Sequence, residues 1–413
     1  MREDYDAVVV GGGPSGGTAA MLLAQAGWRV AVVEKAPFPR RKVCGEFISE
    51  TTWPLLRQLG IAGPLQKLAG PPVRRVGLYA GNATVTAKLA SAAGRGQSGG
   101  RAVGREHLDT LLLQRAAQAG ATVWQPCALS QFAERGSGYE CTIVDKGTRR
   151  VRVLRSRLII AAHGSWESGP MPTQQLRQPP SPSDLFGFKA HFKGSTLPPD
   201  LMPLLAFPGG YGGLVHTDGG RVSLSCCIRR DRLERCRRRS PDVRAGEAVY
   251  LHIASSCRGV ERALSSATPD GAWLSAGPIR TGIRTFGEGG IFAVGNAAAE
   301  AHPIVAEGIS IAIQSAALLC ERLTAHPELR RDAACPARVL KGIRADYAQA
   351  WRTNFSRRLF VAAAFAHIFM RPVSTRIAAA LLERFPRLLT EGARWTGKAE
   401  PLRGTRSFGR APS

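Results

Sequence analysis

Hydrophobic positions along the chain fall into three patterns. The first is the short unbroken run, as in Ala7-Val8-Val9-Val10, Val30-Ala31-Val32-Val33, Leu158-Ile159-Ile160-Ala161 and Ile291-Phe292-Ala293-Val294. Such runs have no polar face and predict strands buried on both sides, as in a parallel sheet. The second pattern is the short alternating or turn-bounded run. Residues 74–79 and 83–87 about Gly81-Asn82 predict a hairpin, and so do 139–144 with 149–154. Residues 186–192, 204–207, 213–216 and 222–228 predict short strands of a second, antiparallel sheet. The third is helical spacing, seen at 19–24, 103–113, roughly 243–264 and in a run of small residues after Gly308.

These runs divide the 413 residues into an α/β nucleotide domain in three pieces (1–73, 101–172 and 277–335). A substrate domain is inserted at 74–100 and 173–276, and a basic helical region closes the chain at 336–413. Residues 170–184, rich in proline, glutamine and serine, mark a crossing between the two domains.

The first buried run passes into Gly11-Gly12-Gly13-Pro14-Ser15-Gly16 and then a helix former. Gly11 allows the tight turn, Gly13 lets a pyrophosphate approach the backbone, and Gly16 lets the helix pack closely on the sheet. The helix N-terminus offers unpaired N–H groups to the phosphates. The second run ends in Glu34, where a dinucleotide fold places the carboxylate that accepts the adenosine ribose hydroxyls. Gly94-Arg95-Gly96-Gln97-Ser98-Gly99 has the same glycine spacing but neither a strand before it nor a helix after it, and reads as a loop.

Charge adds a question. The net charge is +25, with seven arginines between 229 and 239 and a second concentration from 371 to 410. Nucleic acid, an anionic membrane, an acidic carrier partner or plain surface would each account for it. No helix-turn-helix, zinc-finger or RNP pattern supports nucleic acid. Residues 359–389 alternate apolar stretches with Arg357, Arg358, Arg371, Arg376, Arg384 and Arg387. That pattern fits either a structural cap or peripheral membrane contact. The longest uncharged apolar run, 359–370, is too short to span a bilayer. Nine cysteines without a C-x-x-C spacing predict reduced thiols and no metal site. The opening Met1-Arg2-Glu3-Asp4 enters the first strand at once, so no secretory signal and a cytoplasmic location are expected.

With these motifs the chain resembles, over about residues 5–325, the FAD-dependent oxidoreductases of the p-hydroxybenzoate-hydroxylase fold. Within them it is most similar to the geranylgeranyl-reductase-like and flavin-monooxygenase-like branch. The resemblance implies a Rossmann-like FAD-binding domain, an inserted antiparallel β-sheet substrate domain and a helical C-terminal tail. It assigns Gly11, Gly13, Pro14, Ser15, Gly16 and Glu34 to the FAD adenosine and pyrophosphate. Arg105 stands where the family carries an arginine near the flavin. Lys42-Val43-Cys44-Gly45 resembles the Lys-x-Cys-Gly segment bordering the ring. Gly295-Asn296 resembles the Gly-Asp motif on the ribityl chain, and Pro303 with Gly308 matches the turn beneath the isoalloxazine.

Two positions depart from the pattern. Asn296 replaces the usual Asp, and His163-Gly164 replaces an Asp-Gly that hydroxylases use for FAD and nicotinamide contacts. The chain also lacks the Trp-x-Trp pair of flavin-dependent halogenases. The His163-Gly164 departure counts against a standard NAD(P)H-using aromatic hydroxylase. The resemblance implies FAD chemistry on a small molecule, apolar or carrier-bound, with NAD(P)H the candidate electron donor. Hydroxylation through a flavin hydroperoxide is the first expectation, and reduction of a lipid- or polyketide-like C=C bond the second. A basic binding module without turnover would need neither Glu34 nor the glycine spacing. Cys44 and His302 are the candidate catalytic side chains.

Overall fold

The structure, a computed structural model, describes residues 3–89, 99–165, 168–175, 179–330, 337–397 and 402. The loop copy of the glycine spacing lies almost wholly outside these residues, as does most of the basic terminus beyond Gly397. The chain enters at β1 (Glu3–Val10), turns into α1 (Pro14–Gln25) and returns through β2 (Val30–Val33). A first excursion forms the hairpin β3 (Arg75–Ala80) and β4 (Ala83–Lys88). The chain comes back as α2 (Arg105–Gln118), β5 (Thr122–Trp124), β6 (Cys127–Arg135), β7 (Gly138–Asp145) and β8 (Val151–Ala161). A second excursion runs through β9 (Leu185–Lys193), β10 (Leu201–Phe207), β11 (Gly210–His216) and β12 (Val222–Arg229). It continues as helices α3 (Arg230–Arg239), α4 (Ala245–Ser256) and α5 (Arg258–Leu264), then β13 (Leu274–Ile279). Strand β14 (Ile291–Ala293) and helix α6 (Gly308–Thr324) complete the nucleotide domain. Helices α7 (Ala337–Phe369), α8 (Pro372–Arg384) and α9 (Arg387–Trp395) follow.

The first sheet carries β14, β8, β1, β2 and β5 in that order, every neighbouring pair parallel. Ala7, Val8 and Val9 are fully enclosed, which is why these strands read as unbroken apolar runs. The second sheet runs β9, β12, β11, β10, β3, β4. Its pairs are antiparallel except one: β10 lies parallel to β3, Leu204 opposite Leu78. The two excursions thus build one sheet, and the pair that joins them cannot be a hairpin.

Two predicted elements differ in extent. Residues 151–161 form one long strand, β8, parallel to β1 from Leu154 onward; its other edge pairs antiparallel with β7 over 151–156 and then parallel with β14 over 159–161. Residues 243–264 form two helices, broken at Cys257, whose backbone turns extended and whose thiol faces the carbonyls of Ala206 and Tyr79.

The C-terminal helices divide their attachments. On α7, Ile343, Tyr347, Trp351 and Phe355 form a four-residue stripe buried in the nucleotide-domain core. The Tyr347 hydroxyl donates to the Ala293 carbonyl at 3.0 Å. Farther along, Phe369 of α7 with Ala379 and Leu382 of α8 packs on Leu78, Ala80 and Val85 of the second sheet. None of the described helices is long and apolar enough to cross a membrane.

Candidate functional site

At the β1–α1 turn, Gly11 has φ +108°, and a Cβ there would sit 2.5 Å from the Ala162 carbonyl oxygen. A Cβ on Gly16 would sit 1.7 Å from the Gly11 oxygen. Neither position admits a side chain. Helix α1 then starts with a proline, without an acidic residue in its first turn and without a side-chain cap. Its N-terminal N–H groups are left for an anion, and Gly13, Pro14 and Ser15 line the cavity beside them. Gly295, with φ +59°, closes over this turn, where a Cβ would meet Ser15 Oγ at 2.6 Å. At the end of β2, buried Glu34 accepts the N–H groups of Gly12 and Ala36, each at 2.8 Å, with Arg40 at 3.4 Å. The carboxylate is locked in orientation while still lining the same groove.

The loop carrying Lys42, Cys44 and Gly45 is pinned to the second sheet. Ser225 on β12 donates to the Cys44 carbonyl at 2.9 Å. Glu46, fully buried and held at φ +62°, binds Lys189 and, at 3.0 Å, His191, both on β9. Burial opposes its charge, but His191 and Lys189 outweigh that and keep the carboxyl below the usual range. A Cβ added to Gly45 meets no atom within 4 Å, and the same holds for Gly308 at the start of α6. Both glycines therefore border open cavity. Arg105, buried at the head of α2, grips Asp109 with two bonds of 2.7 Å. Desolvation works against its charge, yet Asp109 wins and the guanidinium stays protonated.

Asn296 donates from its amide to Glu300 at 3.1 Å and to Ser165 at 3.3 Å, leaving its carbonyl oxygen directed elsewhere. Glu300 is buried and also receives Arg284 at 2.8 Å and Ser165 at 3.0 Å. Burial raises its carboxyl above the ordinary value despite Arg284. The acid missing at 296 is thus present four residues later, bonded to the amide that replaces it. His163 and Gly164 lie on the same wall.

His302 and Pro303 sit where the cavity turns towards the second sheet. The Tyr211 hydroxyl lies 3.2 Å from His302 Nδ1, and Thr281 Oγ1 lies 3.1 Å from His302 Nε2. Burial lowers the His302 pKa and raises that of Tyr211 well above its ordinary value. The pair is therefore a neutral imidazole and a protonated phenol at neutral pH. Tyr211 escaped the sequence reading because it lies 91 positions before His302. Its one local signal is the setting Gly209-Gly210-Tyr211-Gly212-Gly213. Gly212 lets β12 approach, since a Cβ there would lie 2.7 Å from the Ser225 oxygen.

Apart from Gly16 and Gly295, the sequence-predicted site residues border one cavity of about 590 Å³, and Tyr211 and Glu300 line it with them. From the β1–α1 turn it passes Cys44, Gly45 and Pro303, then runs on between the second sheet and the C-terminal helices. There Phe365, Phe369, Leu382, Leu389 and Trp395 line it. One end is polar and fitted to a dinucleotide; the other is apolar. The glycine cradle, uncapped helix, Glu34 and the open space at Gly45 and Gly308 fit FAD. Residues 4–169 match the model of a family described as FAD binding domain.

The chain is an FAD-dependent oxidoreductase.

Among curated relatives, the oxidoreductase is 27% identical over 361 residues to digeranylgeranylglycerophospholipid reductase 2 of Methanothermobacter thermautotrophicus, covering 86% of this chain and 85% of the relative. It is 24% identical to conditioned medium factor receptor 1 of Dictyostelium discoideum, over 94% of this chain and 76% of that one. Among solved structures it shares its fold with the myxobacterial chondrochloren halogenase CndH. The TM-score is 0.74 at 19% identity, covering 95% of this chain and 91% of that one. Of the sequence-predicted positions, Gly16 and Gly295 do not line the cavity; they pack the turn that does.

Proposed function

We propose that this oxidoreductase saturates a polarised C=C bond in a long, apolar small molecule. The observation that carries this reading is the cavity, which continues from the flavin end into an apolar channel under α8 and α9. An extended hydrocarbon fits such a channel better than a compact aromatic ring does. Similarity along most of its length to a lipid reductase supports the same reading; the halogenase likeness is one of fold.

FAD held in this cleft would supply the hydride, with a nicotinamide as the electron donor; the protein would orient the ring, exclude water and manage the proton. Hydride addition to one carbon leaves its neighbour needing a proton. Tyr211, which lines the cavity beside His302, would give it. Its phenol is held protonated by burial, and His302 beside it is neutral. The O–H bond breaks, the new C–H bond forms, and the phenolate recovers a proton through His302 and Thr281. A phenol of raised pKa is a weak acid, adequate for the basic carbon that hydride addition generates next to a carbonyl or conjugated system. It is inadequate for protonating an isolated alkene first. That is why the reading specifies a polarised double bond.

The test is anaerobic. Photoreduced, FAD-loaded protein is mixed under argon with a long-chain α,β-unsaturated polyprenyl ketone. Flavin reoxidation with a product gaining two hydrogen atoms is expected. Reoxidation only on admitting oxygen, with an oxygen atom in the product, would return the reading to hydroxylation.

A further inference from the structure

Helix α8 has two apolar faces. Thr375, Ala379 and Leu382 are buried, on the side that packs on the second sheet. The other face carries Val373, Ile377 and Leu381 at four-residue spacing, exposed by 70%, 67% and 49%. Phe385 at 53%, Leu388 at 43% and Trp395 at 53% extend the exposed apolar side chains into α9. Isolated exposed leucines are ordinary on a protein surface, whereas a cluster of large side chains on consecutive elements marks an interaction site.

Two further observations identify what it meets. Arg371, Arg376, Arg384, Arg387 and Arg394, all exposed, accompany these residues along the same segment. The acids there are Glu383 and Glu391, and Glu391 is paired with Arg394 at 3.1 Å. Five arginines against two glutamates leave a segment of +3, which repels a second copy of itself and attracts an anionic surface. Moreover, Leu381, Leu388 and Trp395 belong both to the exposed set and to the cavity lining. The cavity opens where the apolar residues lie.

We propose that α8 and α9 dock on an anionic lipid bilayer, with the exposed apolar residues in the headgroup–acyl boundary, the arginines among the headgroups and the cavity mouth facing the acyl layer. A helix with apolar side chains on one face and arginines beside them suits that interface without spanning it. Docking rests on the surface alone. Passage of substrate from the bilayer into the cavity rests in addition on the long, apolar substrate proposed above.

The experiment is co-sedimentation of the full-length, FAD-loaded protein with vesicles. One set is phosphatidylglycerol mixed with phosphatidylcholine, the other phosphatidylcholine alone, each over a salt series. The comparison proteins are Val373→Glu/Ile377→Glu, neither of which lines the cavity, and Arg376→Gln/Arg384→Gln. Melting curves and bound flavin should match wild type in both, since all four side chains are exposed. Wild-type protein should sediment with the anionic vesicles and bind less as salt rises. The arginine pair should bind at least roughly tenfold less, each arginine near an anionic surface being worth about a fivefold change in partition. The glutamate pair should bind neither vesicle. Equal binding by all three proteins, or no binding by wild type, overturns the proposal. So does a concentration-dependent dimer, seen by analytical ultracentrifugation, that Val373→Glu/Ile377→Glu abolishes, because the face would then belong to a second copy. The readout involves no turnover. A protein that docks but reduces nothing leaves this inference standing and removes the other.

Discussion

At the scale of single residues, the site depends on charges kept away from water. Glu46 is fully buried between Lys189 and His191 and fixes the Cys44–Gly45 loop. Removing one member of such a group strands the other charge, a loss of about 3–5 kcal/mol. Glu46→Ala should therefore lower stability by about that amount at pH 7 in urea unfolding; a loss under 1 kcal/mol would show the pair to be unimportant. Its carboxyl sits below the ordinary value of 4.5 in the fold. The stability it adds is thus complete above 4.5 and disappears as pH falls through the lower folded value. The variant should show a shallower acid limb. Tyr211 is tested through turnover. Tyr211→Phe keeps the ring and removes the proposed proton donor, so turnover should fall by roughly 10²–10⁴-fold while bound flavin is unchanged. Retained turnover would assign the proton elsewhere. These residues also show where sequence reading stops. Gly11, Gly16 and Glu34 were legible because one continuous strand–turn–helix–strand unit contains them. Tyr211, Glu46 and Glu300 gain their meaning from partners on other segments, and nothing in the local pattern names those partners.

At the scale of elements, buried runs and alternating runs translated directly into strands, since burial on two faces or one dictates the pattern. The failures came where one element serves two neighbours. One edge of strand β8 changes partner midway, from β7 to β14, so its outer half looks like a hairpin arm and its inner half like a core strand. The helix break at Cys257 is made by contacts to Ala206 and Tyr79, not by a glycine or proline in the sequence. Helix α7 reads as a basic amphipathic segment, yet its first half belongs to the nucleotide-domain core. Trp351 is fully enclosed and packs on Phe286 and Phe355, with centroids 5.3 Å and 5.2 Å away. Trp351→Ala should cost about 3–5 kcal/mol, the range for emptying a large aromatic from a core. Thermal melting with flavin absorbance recorded together should show both lost in one transition. Flavin release well below an unchanged protein melt would mean that α7 guards the cofactor without supporting the fold.

At the scale of the whole molecule, the cavity borrows its walls from regions that are far apart in the chain. The nucleotide domain supplies the cofactor end, the second sheet supplies Tyr211, and the C-terminal helices supply the apolar end. On the proposed function, chemistry and substrate length are set by different segments and should be separable by mutation. Leu389 lines the outer end and contacts the second-sheet cluster. Leu389→Trp should fill that end without reaching Tyr211 or the flavin groove. Each methylene excluded from the channel forfeits about 0.8 kcal/mol of burial. A substrate that loses four of them should lose about 3 kcal/mol, roughly a hundredfold in kcat/KM. A truncated analogue that never reached the outer end should be processed as before. The measurement is kcat/KM across a homologous series of chain lengths for wild type and variant. A uniform loss at every length would mean that the tryptophan disturbs the reaction site. No loss at any length would mean that substrate does not extend under α8 and α9, and the channel would then need another occupant.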